Sequence, residues 1–313
     1  MPEQLPQSVP AATGCRVIAV LESGYHEEID ALSRLLQDVI ATGADGVELV
    51  ARGGPESEGT RDRMRQFIER AGSVQRVVAP HHVSVVEQLS PLPFEAWKID
   101  PPLLTHLPLL ESVAADGRPI FLGVGGCTLR ELEEALCRLP ADVVILHTLG
   151  MAGGLADVAD VAYLSALRRY GRTVGYADRS TDTGPALIAV ALGAAVVEKP
   201  LTFERLVRTP GHRSSLLPHE FLAFVRHVRR IEQVLAGDGA RDPLPDELDA
   251  IERERVSIVA ARRISRGTPI QRDMLTLRAP GVGLPPRFLG FLEGRRASYD
   301  IPEGAFLTFG LID

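Results

Sequence analysis

From Arg16 onward, short apolar runs rich in valine and isoleucine alternate with longer segments in which apolar residues recur every three or four positions. The runs fall at 16–21, 46–50, 75–79, 95–100, 119–123, 142–147, 173–177 and 195–199. They are almost continuously apolar, the pattern of strands covered on both faces, as in a parallel sheet. The segments at 28–42, 128–139, 157–170 and 184–192 carry a helical apolar stripe. Eight strand–helix repeats in a stretch close to the usual size of about 250 residues predict a TIM (β/α)8 barrel, with an open doubly wound sheet as the alternative.

A further helix is expected over 218–235, followed by the polar, turn-rich stretch GDGARDPLPDELD at 237–249. Beyond it the pattern changes to short strands at 257–260 and 275–277, separated by SRGTP, APGVGLPP and IPEGA. The expected layout is a flexible N-terminal segment 1–15, a barrel 16–236, a linker 237–252 and a small β-rich domain 253–313. A domain that small is near the lower limit of independent stability, which predicts docking on the barrel or on a second subunit.

The net charge of −7 and scattered basic residues leave no footprint for nucleic acid. No apolar run reaches the ~18 residues of a membrane span, and the first residues lack a secretory start, so a cytoplasmic protein without a membrane partner is expected. Cys15, Cys127 and Cys137 have neither metal-finger nor disulfide-scaffold spacing and read as reduced thiols. The 34 basic residues include two lysines, Lys98 and Lys199, leaving 32 arginines. Codon bias explains most of that; a lysine that persists marks a place that needs a compact ammonium.

Barrel chemistry gathers at the C-terminal strand ends. The residues there include Glu22, Glu48, His81, His82, Lys98, Asp100, Gly123, Gly125, His147, Asp178, Arg179, Glu198 and Lys199. Such a polar ring needs a ligand or an internal ion-pair network to satisfy it. The GVGG turn at 123–126 before Thr128 is a candidate phosphate cradle. No GxGxxG, Walker, GxSxG or HExxH motif is present.

The segments FEAWKIDPPLLTHLPLLESV, GRPIFLGVGGCTLRELEEAL, VVILHT, TVGYADRS and ALGAAVVEKPLTFER resemble the barrel of the sialic acid synthase family. VSIVAARRISRGTPIQRDMLTLRAPGVGLPP resembles its C-terminal antifreeze-like (SAF) domain. The resemblance implies condensation of phosphoenolpyruvate with an amino sugar. It also implies Mn2+ or Mg2+ on two histidines, and a homodimer whose SAF domain covers the partner barrel. Carried over by position, one metal histidine falls on His147 and the other on Arg179, which leaves the implied metal one of its two ligands. The donor-binding lysines fall on Glu48, a charge reversal, and on Lys98. The family's STG turn falls on Gly123, Val124 and Gly125, the serine and glutamate of its KIxSGE on Pro101 and Leu103, and its first-strand glutamate on Val20, with Glu22 two residues on. Asp178, Glu198 and Lys199 match, and the tail arginine falls on Ala279, beside Arg278.

The expected site is therefore catalytic Lys98, His147, Asp178 and Lys199, with Glu22, Glu48, Gly123, Gly125, Arg179, Glu198 and Arg278 binding a sugar and an anionic donor. The expected function is a synthase-like C–C bond-forming enzyme. The alternatives are a metal-independent barrel enzyme with a Schiff-base lysine, or a non-catalytic sugar-binding homologue.

Overall fold

The computed structural model describes residues 14–21, 29–51, 59–148, 160–203, 214–237 and 242–313. Eight parallel strands, β1 (Arg16–Leu21), β2 (Gly46–Ala51), β3 (Gln75–Pro80), β4 (Ala96–Ile99), β5 (Ile120–Val124), β6 (Val144–Thr148), β7 (Thr173–Ala177) and β8 (Val196–Leu201), follow one another in order. β8 pairs with β1 in register from Arg16 opposite Val196 to Leu21 opposite Leu201, closing the barrel and excluding an open doubly wound sheet.

Helices α1 (Ile29–Thr42), α2 (Thr60–Arg70), α3 (Val83–Leu89), α4 (Leu107–Asp116), α5 (Leu129–Leu136), α6 (Tyr163–Leu167), α7 (Gly184–Ala191) and α8 (Pro218–Leu235) follow the strands in turn. α5 starts where Thr128 and Glu131 cap each other's backbone amides. The expected helix 157–170 is shorter, α6 passing into a 3-10 turn at Arg168–Tyr170, and positions 157–159 lie outside the described residues.

The strands alternate between two apolar layers. Ile18, Val77, Ala96, Phe121, Leu146 and Val196 fill the barrel interior. Their neighbours Val17, Val78, Trp97, Leu122, Ile145 and Val197 pack outward against the helices. The outer layer is pinned at one corner by Arg118, which donates to the carbonyls of Phe94, Ser90 and Leu92 at 2.9–3.0 Å, pairs with Asp116 and stacks over Phe94. Asp116 also accepts from Trp97 Nε1 at 2.8 Å.

The chain divides into two compact units at residue 237. In the second, α9 (Pro245–Glu254) begins inside the stretch read as a linker over 237–252 and runs two residues past it. Proline in the first turn, Glu247 accepting from the Leu244 amide at 3.0 Å and an acidic first turn give a start signal that outweighs the turn-rich composition. β9 (Ser257–Ala260) and β10 (Leu275–Arg278) pair antiparallel, and α10 (Leu289–Leu292) helps cover a core that includes Ile258, Ile264, Ile270 and Ile301. Among the described residues no helix is long and apolar enough to cross a membrane.

Arg118→Ala strands three carbonyls and removes the charged partner of Asp116 at that corner. It is expected to cost about 2–3 kcal/mol in chemical denaturation while leaving the far-ultraviolet circular dichroism of the folded protein unchanged.

Candidate active site

Strand alternation divides the expected site residues into two groups. Glu48, Lys98 and Glu198 are each the third residue of their strand and share the parity of the barrel interior. All three are buried. The Lys98 ammonium donates to Glu198 Oε2 and stands 3.7 Å from Glu48 Oε2. Asp100, just past β4, comes within 3.4 Å of His81 Nε2. Arg179, two residues past β7, acts electrostatically on both Glu48 and Asp100. These six groups make one cluster from the inner wall to the mouth.

Burial alone weakens the Lys98 ammonium, but Glu198, Glu48 and Asp100 together outweigh it and hold its pKa above the ordinary value. Burial pushes the Glu48 carboxyl up, Glu198 and Asp100 push the same way, and Lys98 and Arg179 only partly offset them, leaving it at about 8. For Asp100, burial is outweighed by the His81 hydrogen bond and the Lys98 and Arg179 charges, which hold it down at about 2. Two carboxyls near one ammonium thus end in different protonation states at neutral pH.

Lys199, Asp178 and His147 lie on the opposite parity. Lys199 Nζ donates to Asp178 Oδ2 at 3.0 Å, to the Ser180 carbonyl at 2.7 Å and to the Asp182 carbonyl at 2.5 Å. All three of its N–H donors are engaged, and Asp178 Oδ1 accepts from the Ser180 amide at 2.8 Å. This clamp ties the end of β8 to the loop after β7. Burial lowers the Lys199 pKa, with Asp178 opposing.

His147 packs between Tyr163 and Tyr176, ring centroids 5.3 and 5.7 Å away. With Gly125, Gly126, Cys127, Thr128 and Tyr163 it borders a cavity of about 240 Å³. The position matching the second metal histidine holds the Arg179 guanidinium, a cation with no lone pair to donate. The donor set present does not fit a two-histidine divalent-metal site.

The glycine turn has a packing explanation. A Cβ on Gly123 would lie 2.8 Å from Pro101 Cδ, and one on Gly125 would lie 2.1 Å from the Thr148 carbonyl oxygen. Neither glycine requires a bound phosphate to account for it. His82 and His106 cap α3 and α4, accepting from the Ser84 and Leu109 amides at 3.1 and 3.3 Å. Arg278 belongs to the second unit, where it donates to the Gly304 carbonyl at 2.7 Å and stacks over Phe306. Glu22 lies outside the described residues. The tyrosines around His147 and the carbonyls on Lys199 escape sequence reading because they depend on register and on a loop path.

Two outcomes test this electrostatic layout. Lys199→Met leaves Asp178 buried and uncompensated, and is expected to cost about 3–5 kcal/mol in denaturant unfolding. Glu48 holds its proton more tightly folded than unfolded, since its pKa rises from 4.5 to about 8. Its contribution to stability is therefore full below 4.5 and is lost as the pH rises to about 8. The Tm of Glu48→Gln relative to wild type should rise across that window and level off above it.

Residues 57–240 match the NeuB family and residues 255–312 match the SAF domain. An uncharacterized protein of Methanocaldococcus jannaschii is 29% identical over 94% of this chain and 86% of its own length. An N,N'-diacetyllegionaminic acid synthase of Campylobacter jejuni is 31% identical over 66% of this chain, and the chain spans 63% of that enzyme. A solved N-acetylneuraminic acid synthetase of Leptospira borgpetersenii superposes with a TM-score of 0.67 at 22% identity, over 77% of this chain and 91% of that one, which shows the shared fold. The barrel matches the NeuB model over more than half of the chain and a SAF domain follows it, so the protein belongs to the NeuB family.

Proposed function

We propose that this chain is a C–C bond-forming transferase of the sugar-acid synthase type. It would join phosphoenolpyruvate, or a related anionic donor, to an amino-sugar or other aldehyde acceptor in carbohydrate biosynthesis. The observation that carries this reading is the buried Lys98 group on the inner wall of a NeuB-family barrel, with Arg179 and Asp100 at the mouth. Synthases among the relatives support the reaction class. The homodimer implied by the sequence resemblance and the cytoplasmic location expected from the sequence are part of the same reading.

In this reaction the enol carbon of the donor attacks the aldehyde carbon of the acceptor. The carbonyl electron pair moves to oxygen and takes a proton, water adds to the donor carbon that bears the phosphate ester, and phosphate leaves. Lys98 and Arg179 hold the donor's anionic groups, and the closed barrel keeps bulk water from the reacting carbons. No step is assigned to a metal, because Arg179 replaces a donor atom with a positive charge.

A Schiff-base route through either lysine has weaker support. Lys98 is held protonated by its carboxylates, and all three Lys199 donors are bound to protein oxygens.

The test is release of inorganic phosphate from phosphoenolpyruvate, assayed with and without a panel of amino sugars. Release that depends on the acceptor, with no borohydride-trapped adduct on either lysine, is the expected result. No release with any acceptor, together with a thermal shift on adding a sugar, would replace this reading with a non-catalytic sugar-binding one.

A further inference from the structure

Both carboxyl oxygens of Glu48 and Oε1 of Glu198 are buried with no hydrogen-bond partner among the described residues. Glu48 Oε2 stands 3.7 Å from the Lys98 ammonium, which already donates to Oε2 of Glu198. Lys98 is therefore matched by one carboxylate before any ligand arrives. Beside Glu198 in contact and Asp100 further off, an ionised Glu48 would be a further negative charge against the same ammonium, and an anionic ligand would add another.

The groups facing Glu48 can be named strand by strand. β4 and its end bring Lys98 and Asp100, β8 brings Glu198, the loop after β7 brings Arg179, and the end of β3 brings His81 through Asp100. The interior residues Ile18 of β1, Phe121 of β5 and Leu146 of β6 are apolar. The two lasting cations among these groups, Lys98 and Arg179, already face Glu198 and Asp100, so an ionised Glu48 and an anion together leave an excess of negative charge.

We infer that Glu48 is a specificity-determining residue that sets whether the barrel admits an anion: protonated, it offers an O–H donor and no charge; ionised, it repels the ligand from Lys98. This rests on the proposed anionic donor binding at Lys98. Anion binding then takes up a proton wherever free Glu48 is ionised, and its affinity falls as the pH rises. The burial that holds Glu48 near 8 places the change just above neutrality. Glutamine keeps the shape of a neutral carboxyl and cannot ionise, so it mimics the admitting state at every pH.

The experiment is calorimetric titration of the full-length protein with phosphoenolpyruvate at several pH values from about 7 to about 9.5, in two buffers of different ionisation enthalpy. Wild type, Glu48→Gln and Glu48→Asp are compared, so contributions common to all three, such as the ligand's own ionisation, cancel. Above about pH 8 the wild-type Kd should rise toward tenfold per pH unit, with proton uptake approaching one per ligand. Glu48→Asp should keep a slope, and Glu48→Gln should bind with a flat Kd and no uptake. Equal slopes and equal uptake in wild type and Glu48→Gln overturn the inference while leaving the anionic-donor reading in place. Absence of binding to all three proteins at every pH removes that reading, and the inference with it.

Discussion

An ammonium group buried on the inner wall of a closed barrel has to be neutralised by that wall, because burial strips its solvation and the loss is too large to leave unmet. Lys98 imposes that condition. It draws Glu198 from β8 into direct contact and holds Glu48 of β2 3.7 Å away. Three strands that are distant in sequence are thereby linked through one charge. The condition also separates the two carboxyls chemically. Glu198 takes the contact, while Glu48, buried and with like charges nearby, keeps its proton into the neutral range.

The same constraint gives a physical account of where the two lysines persist. Both lysines are buried and each is enclosed by polar oxygens: two carboxyl groups beside Lys98, and one carboxylate with two carbonyls around Lys199. A compact ammonium can enter either cage, whereas a planar guanidinium with five donors would leave several of them unsatisfied. The two lysines differ in task. Lys98 belongs to the interior, where a ligand would meet it, and Lys199 fastens the loop after β7 from the other side of the wall.

Family membership and the composition of the site carry different information. The NeuB and SAF matches place the chain on a shared scaffold. The interior charges are rearranged on that scaffold: Arg179 and Glu48 sit where the sequence resemblance implies a histidine and a lysine. Pro101 closing against Gly123 shows the same kind of change in packing, since the proline occupies the space a side chain at 123 would need. A scaffold can hold while the charge its cavity prefers is reset, because the helix-facing core and the interior layer are separate sets of side chains.

The eight strand windows were legible in the chain to within about two residues at each end, a usual margin for element boundaries, because strands buried on both faces need continuous hydrophobicity. The lysines, the acidic residues near them and the division into a barrel and a small β-rich domain were equally plain. The start of α9 was present as a proline and a capping glutamate, and turn-rich composition masked it. Which strand-end residues meet was not legible. Adjacent residues such as Glu198 and Lys199 point to opposite sides of the wall, and His147 goes to a tyrosine pair instead of to Lys98. Those pairings depend on the register between strands and on the path of the loops, where a slip of one residue exchanges the two faces, so they exist only once the barrel has closed.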